Sequence, residues 1–599
     1  MTSANEASTH AVADVRVSHG LDRLVIAPRS PASAHHVGRA LRQALPGVAI
    51  RRFAAGFWLY ASDAGPLLEQ CALRELRWSD EARRVAQNRR WVRDRRDRFL
   101  DDLFRIKKGG VRVAKTLLQG ATGLEALDDH QWVNVAAMTL PNSYGLCVFD
   151  EQGAGKTVTL IHAFDVLVDH DEVDFALIIA PKSMIAEWPR DFSRFKHDLY
   201  KVVVATGTRS EKRKALFGGA DVIVTNFESA ASMEQELGAL LRAHSGRAML
   251  VVDESFYVKN LDAKRTSAVR RLREFCSRAF VLCGTPAPNS PHDVIQQVNI
   301  VDFGITFGGV DVPDNRDTAR AVVQDILGKK GPFVRHLKRE VLPDLHPKRF
   351  NRVFVQMEPQ QEKLYEAALQ SLISDLRSAN QQEFRRNITS FLARRNALLQ
   401  ICSNPEGVAM SYNETPAKLQ ALDDLLGNLI RYDREKVVVW SFYTASLSAI
   451  FARYECFNPV RYDGSVSDVA IRREAVRRFQ EDDKTMLFVG NPAAAGAGLT
   501  LHRARFAVYE SMSNQAAHYL QSLDRIHRRG QTRSVEYIVL LCQDSIEVTE
   551  YEKLTQKESD AQHLLGDVVE QPMTRDAMLA ELLQANALRR PQFPGREAL

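Results

Sequence analysis

At 599 residues the chain is too long for one hydrophobic core, and its 45% apolar and 26% charged residues are those of a soluble globular protein of several domains. A net charge of +6 neither demands nor excludes a polyanionic partner, so charge must be judged locally. Seven scattered cysteines with no C-x-x-C pair argue against a zinc site or a disulfide framework, and neither a signal pattern nor a membrane-length apolar run is present; a cytoplasmic protein without a membrane partner is expected.

Residues 1–110 read as a separate small α+β unit, with strands expected at "DRLVIAP" and "GFWLYAS". Its last part, "EARRVAQNRRWVRDRRDRF" from Glu81 to Phe99, piles arginines around Trp91 on an expected helix. That helix is either a solvated face or a surface for DNA or a protein partner. Apolar, β-branched runs then recur from Tyr144 to Thr285 ("YGLCVFD", "FALIIAP", "KVVVAT", "DVIVTNFE", "AMLVVDE", "AFVLCGT"), the pattern of buried parallel strands. After the irregular "DFGITFGGVDVPDNRD", residues Pro359 to Pro405 carry apolar residues at helical spacing. A second set of strand-like runs spans Lys436 to Leu541 ("KVVVWSF", "PVRYDG", "KTMLFVG", "FAVYES", "VEYIVLL"). The expected organisation is a first lobe over 111–345, a helical insertion over 346–415, a second lobe over 416–565 and a helical tail over 566–599.

Three constellations carry chemistry. "DEQGAGKT" places Gly153, Gly155, Lys156 and Thr157 between a strand and an apolar helix, the context of a phosphate cradle. Glycine lets backbone N–H groups approach the anion, and the helix N-terminus favours its charge. Lys156 would neutralise the β- and γ-phosphates of ATP and Thr157 would hold Mg²⁺, although Asp150 stands where the generic loop has its first glycine. At the end of "AMLVVDES", Asp253 suits Mg²⁺ and Glu254 suits polarisation of water. In "QSLDRIHRRGQ", Arg525 and Arg528 lie three apart and are expected on one helix face, where they can serve as arginine fingers or as ordinary basic surface.

In order, these motifs resemble helicase superfamily two, and within it the Swi/Snf-type double-stranded-DNA translocases. Gln131 in "LDDHQWVNVAAM" matches the family's adenine-reading glutamine, and "APKSMIAEWPRDFSRF", "VIVTNFE", "VVDESFYVKN" and "LCGTPAPNS" match its motifs Ia, Ic, II and III. "KVVVWSFYT", "RYDGSVSDVAIRREAVRRF", "GNPAAAGAGLTL" and "QSLDRIHRRGQTRSV" are similar to motif IV, the strand and helix after it, and motifs V and VI. Phe256 replaces the usual histidine of motif II, and Asn491 and Pro492 replace the usual start of motif V. The forms "DES", "GTPA" and "GLTL" look more like the annealing-helicase branch than the nucleosome remodellers.

The resemblance implies two tandem RecA-like doubly wound parallel-sheet lobes that hydrolyse ATP with Mg²⁺ between them and move along double-stranded or forked DNA. DNA phosphates would meet Lys182, Ser183, Thr225, Arg472, Gly496 and Gly498. Trp188 is expected in the core or beneath the DNA-facing loop, and Asp463 and Gly464 in a structural turn. A strand-separating or annealing helicase in replication or repair, and the motor subunit of an antiviral defence system, are the alternatives.

Overall fold

The computed structural model describes residues 12–63, 65–68, 76–244, 246–260, 263–284, 286, 291–466, 469–494, 499–512, 516–562 and 575–588. These residues fall into two compact units that meet in the chain at Val341 and Leu342.

The first unit holds two sheets. Strands β1 (Ala13–Val17), β2 (Arg23–Pro28), β3 (Arg51–Phe53), β4 (Gly56–Tyr60) and β5 (Leu76–Trp78) form a five-stranded sheet in the order β3-β4-β2-β1-β5, antiparallel except for the β1–β5 pair. Leu24, Ile26, Leu59 and Val15 alternate onto the face that packs against the helix Pro31–Ala44 and the start of the helix Asp80–Leu117.

A seven-stranded parallel sheet follows, built from β6 (Gly145–Val148), β7 (Phe175–Ala180), β8 (Val202–Val204), β9 (Val222–Asn226), β10 (Ala248–Asp253), β11 (Arg278–Leu282) and β12 (Phe333–Val334). Its order is β12-β6-β11-β10-β7-β9-β8. Every residue of β7 and β10 is buried, because helices in the crossovers cover both faces; that is why these strands read as unbroken apolar runs.

The arginine-rich run lies in the helix Asp80–Leu117, and many of its cations face protein. Arg89 is buried against Glu274 and also donates to the Leu21 carbonyl. Asn88 donates to Glu274 Oε2 at 2.7 Å, and the Arg84 guanidinium lies 4.4 Å from the Phe275 ring centroid. This helix joins the small sheet to the large one. Trp91 is half-buried, with Arg95 4.6 Å over its ring.

The second unit contains a six-stranded parallel sheet, β13 (Lys348–Val355), β14 (Val437–Trp440), β15 (Val460–Tyr462), β16 (Leu487–Gly490), β17 (Phe506–Tyr509) and β18 (Val535–Cys542), in the order β13-β18-β17-β14-β16-β15. The helical insertion expected over 346–415 begins later than that, because Lys348–Val355 form β13, held in the sheet by pairing with β18; the insertion's helices are Pro359–Ser378 and Gln381–Ser403, packed with Arg575–Leu588 around Leu369, Leu398 and Leu582. Buried Lys418 ties the helix Ala417–Leu426 to the sheet, donating to the Glu510 carbonyl at 2.7 Å and to Glu547 at 2.6 Å. The fold is therefore α/β with two doubly wound parallel sheets. No described helix is long and apolar enough to cross a membrane.

Candidate nucleotide site

The loop after β6 turns through Gly153 at φ 86° and Gly155 at φ 88° into the helix Lys156–Asp169. Both angles are left-handed, which glycine adopts without strain. A Cβ on Gly155 would also stand 2.2 Å from the Gln131 amide nitrogen, so any other residue there would displace the Gln131 side chain. Lys156 Nζ donates to the carbonyls of Asp150 (2.9 Å) and Glu151 (3.3 Å), which places the ammonium at the mouth of the loop. Thr157 follows it in the first helical turn, half-buried.

Asp150 is fully buried and fixes the loop from beneath. It accepts from the His336 backbone N–H (2.8 Å), His336 Nδ1 (2.9 Å) and Asn134 Nδ2 (2.5 Å). Burial opposes its charge, but these donors and nearby Lys156 outweigh it and hold the carboxyl below its ordinary range. Asp150 thus performs by side-chain bonding what a generic loop leaves to a glycine.

Gln131 touches the same loop. Its Nε2 donates to the Ala154 carbonyl at 3.3 Å and its Oε1 accepts from the Asp128 N–H at 3.0 Å, while His130 Nε2 lies 2.7 Å from the Ala154 carbonyl oxygen. A cavity of about 640 Å³ opens here, lined by Leu127, His130, Val133 and His336 among others.

Across β11, Asp253 ends β10, and Glu254 adopts a left-handed conformation at φ 48°. Asp253 Oδ1 accepts the Glu254 N–H at 2.9 Å, whereas Oδ2 is buried with no hydrogen-bond partner. Burial, then the adjacent Glu254 charge, push Asp253 up to about 7, against the pull of Lys156 and the Trp188 indole N–H. Trp188 is core, one of its two expected positions. Gln152 Nε2 donates to Glu254 Oε1 at 3.2 Å and steadies it. An acidic buried oxygen lacking a donor suits a divalent cation, so the donor set of Asp253 and Thr157 fits Mg²⁺.

The raised Asp253 value gives a signed prediction. A carboxyl whose folded value lies above its unfolded one stabilises the fold while protonated, and that contribution fades as pH rises from about 4 through about 7. In metal-free buffer, Asp253→Asn should therefore be more stable than the parent at pH 8 and show a flatter dependence from pH 4 to 8 in urea unfolding. A parent curve already flat over that interval would contradict the assignment.

Motif II reaches motif III through a residue the sequence did not mark. Ser255 Oγ donates to Gln297 Oε1 at 2.5 Å, and Gln297 Nε2 donates to the carbonyls of Pro286 and of Asp293, the latter at 2.9 Å. Phe256 is buried and stacks on Tyr257, with ring centroids 4.5 Å apart. Asn134, His336 and Gln297 carry no residue type or spacing that marks them in the sequence, and Gln152 has no assigned role within the phosphate-loop motif; spatial proximity reveals all four.

The remaining candidates are spread over both units. Lys182 and Ser183 are exposed in the turn after β7; Thr225 is buried near the end of β9, its hydroxyl donating to the Ala205 carbonyl at 3.4 Å. Arg472 donates to the carbonyls of Val466 (2.6 Å) and Asp463 (2.9 Å), and Asp463 accepts from Ser465 and Arg461 in a closed turn. Gly496 and Gly498 lie outside the described residues. Arg525 and Arg528 do not share a helix face, because the helix Ala516–Leu523 stops before them. Instead Leu501 N–H bonds to the Arg525 carbonyl and pulls the chain into turns. Both side chains nevertheless meet at the Leu499 carbonyl, Arg525 at 3.4 Å and Arg528 at 3.0 Å, and Arg528 also reaches Thr500 Oγ1 at 2.8 Å.

The family model for the SNF2-related domain matches residues 58–407, and that for the helicase conserved C-terminal domain matches residues 417–530. The chain belongs to the SNF2-related family. It is similar to the ISWI chromatin-remodeling complex ATPase ISW1 of Saccharomyces cerevisiae, 26% identical over 460 residues, which are 71% of this chain and 39% of that protein. It is also similar to the SWI/SNF-related matrix-associated actin-dependent regulator of chromatin subfamily A-like protein 1 of Xenopus tropicalis, 26% identical over 409 residues, 65% of this chain and 40% of that one. The chain spans about two fifths of the length of these curated relatives. Among solved structures, the Sulfolobus solfataricus SWI2/SNF2 ATPase core in complex with dsDNA is 20% identical and covers 79% of this chain and 98% of its own, with a TM-score of 0.35.

Proposed function

We propose that this protein is a DNA-stimulated ATPase that moves along double-stranded DNA and remodels DNA or protein–DNA complexes. The observation that supports this most directly is the gathering of Lys156, Asp253 and Glu254 at the carboxyl ends of β6 and β10, with one Asp253 oxygen buried and unpartnered. In an open parallel sheet that edge is where ligands bind. Lys156 would hold the terminal phosphates of ATP, Glu254 would orient the attacking water, and Arg525 and Arg528 would stabilise charge on the transferring phosphoryl group. Mg²⁺ bound through Thr157 and Asp253 would neutralise phosphate charge. Lys182, Ser183, Thr225 and Arg472 are assigned to phosphate contacts, so grip should be independent of sequence and weakened by salt. Relatives named as a chromatin-remodeling complex ATPase and an ATP-dependent helicase support ATP-driven work on chromatin or nucleic acid.

The test measures ATP hydrolysis with no nucleic acid, single strand, duplex and forked DNA, beside displacement of a triplex-forming strand from a duplex track. Duplex-stimulated hydrolysis with displacement and no separation of duplex strands is expected. Strand separation by the pure protein would replace the translocase reading with a helicase one, and hydrolysis indifferent to every DNA would sink both.

A further inference from the structure

A concave pocket of about 770 Å³ opens at the amino ends of β14, β16, β17 and β18 in the second unit. Six cations line it: Arg431, Arg434, Lys436, Lys484, Arg503 and Arg533; the only acidic groups lining it are Glu435 and Asp483. Both acids are engaged. Arg533 grips Glu435 with two bonds of 2.6 and 2.8 Å, and Arg503 donates to Asp483 at 2.8 Å. Lys436 is buried, and its three donors go to the carbonyls of Phe479 (2.6 Å), Asp482 (2.7 Å) and Thr485 (2.9 Å), which satisfies its hydrogen bonds, while the nearby Asp482 and Asp483 carboxylates offset its charge. Arg431 lies 5.5 Å over the Phe457 ring, and neither it, Arg434 nor Lys484 has a carboxylate partner among the described residues.

Three exposed positive charges without a carboxylate partner, Arg431, Arg434 and Lys484, share one concavity and repel one another, so an anion that enters it is attracted by all three. Arg434 adds a second observation. It stands at φ 57°, a left-handed conformation that is strained for a non-glycine residue, so local backbone preference does not explain an arginine there. The floor is apolar, formed by Ile430, Phe457 and Met486. A volume within the small-ligand range of roughly 300–1,000 Å³ fits a compact molecule better than an extended chain. We propose that this pocket is a binding site for a compact organic polyphosphate, its phosphates on Arg431, Arg434 and Lys484 and its carbon skeleton on the apolar floor. The site is separate from the proposed nucleotide cradle, which belongs to the first unit.

Isothermal titration of the full chain with inositol hexakisphosphate, and with tripolyphosphate, tests this. Binding should survive Lys156→Ala, weaken with added salt, and fall by about tenfold or more in Arg434→Glu/Lys484→Glu. The milder Arg434→Gly/Lys484→Ala removes both cations while giving position 434 the residue best suited to its backbone; it should lose the probe while unfolding at a temperature no lower than the parent and keeping its basal ATP hydrolysis. Equal affinity in all variants would overturn the proposal, as would loss on Lys156→Ala alone. Pocket-dependent binding of only an oligoglutamate peptide, or only a short DNA duplex, would overturn it in favour of a macromolecular partner.

Discussion

Lys156→Ala is expected to lower DNA-stimulated ATP hydrolysis by about 10²- to 10³-fold, the scale on which one preorganised donor to a developing charge acts. The ammonium is held at the loop mouth by the carbonyls of Asp150 and Glu151, so it meets an arriving phosphate with little reorganisation. Arginine should not rescue it: a planar guanidinium cannot occupy the space of a compact ammonium between two carbonyls. The loss should appear in turnover at saturating ATP as well as in apparent affinity, with thermal unfolding little changed because Lys156 is only half-buried. Hydrolysis within threefold of the parent would remove this loop from the chemistry.

The largest expected effect on stability is at Glu274. Glu274→Ala leaves the Arg89 guanidinium without its counter-charge, both side chains being 2% exposed, and removes one of the two acceptors of Asn88, which keeps the backbone carbonyl at position 274. A buried cation left without its partner costs about 3–5 kcal/mol. Because this pair joins the helix Asp80–Leu117 to the large sheet, urea unfolding should show an earlier midpoint and a separate early transition for the small N-terminal sheet. Replacing both partners with apolar residues, Arg89→Met/Glu274→Leu, should recover most of the loss, since no unpaired charge remains. A single alanine variant as stable as the parent would mean that the pair does not hold the two sheets together.

How much of this was readable beforehand depended on where the signal lay in the chain. The central strands β7, β10 and β14 announce themselves because burial on both faces demands consecutive apolar residues. The edge strand β13 gave no such signal: it carries Lys348, Arg349, Asn351 and Arg352, and it is a strand because β18 pairs with it along eight residues. Likewise the arginine run suggested solvent or nucleic acid, yet Arg89 meets Glu274 across 185 positions, a pairing no local pattern encodes. Lys156, Asp253 and Glu254 were legible because phosphate chemistry imposes residue type and spacing on a strand end. Gln297 was not, because a bridging amide needs only to be near, and Arg525 and Arg528 were placed on a helix that ends at Leu523 because their spacing alone does not reveal a turn.

The anchoring of Asp150 carries a consequence for how heat or ligand reaches the middle of the chain. His336 and Lys338 stand just before the junction of the two units, and their amide protons bond to the carboxylates of Asp150 and Glu151 at 2.8 and 2.6 Å, while the Glu151 amide returns to the His336 carbonyl at 3.0 Å. The first turn of the phosphate loop and the root of the inter-unit connection are therefore a single cooperative patch. Neither can fray alone, and whatever stiffens the loop also stiffens the point from which the second unit is tethered.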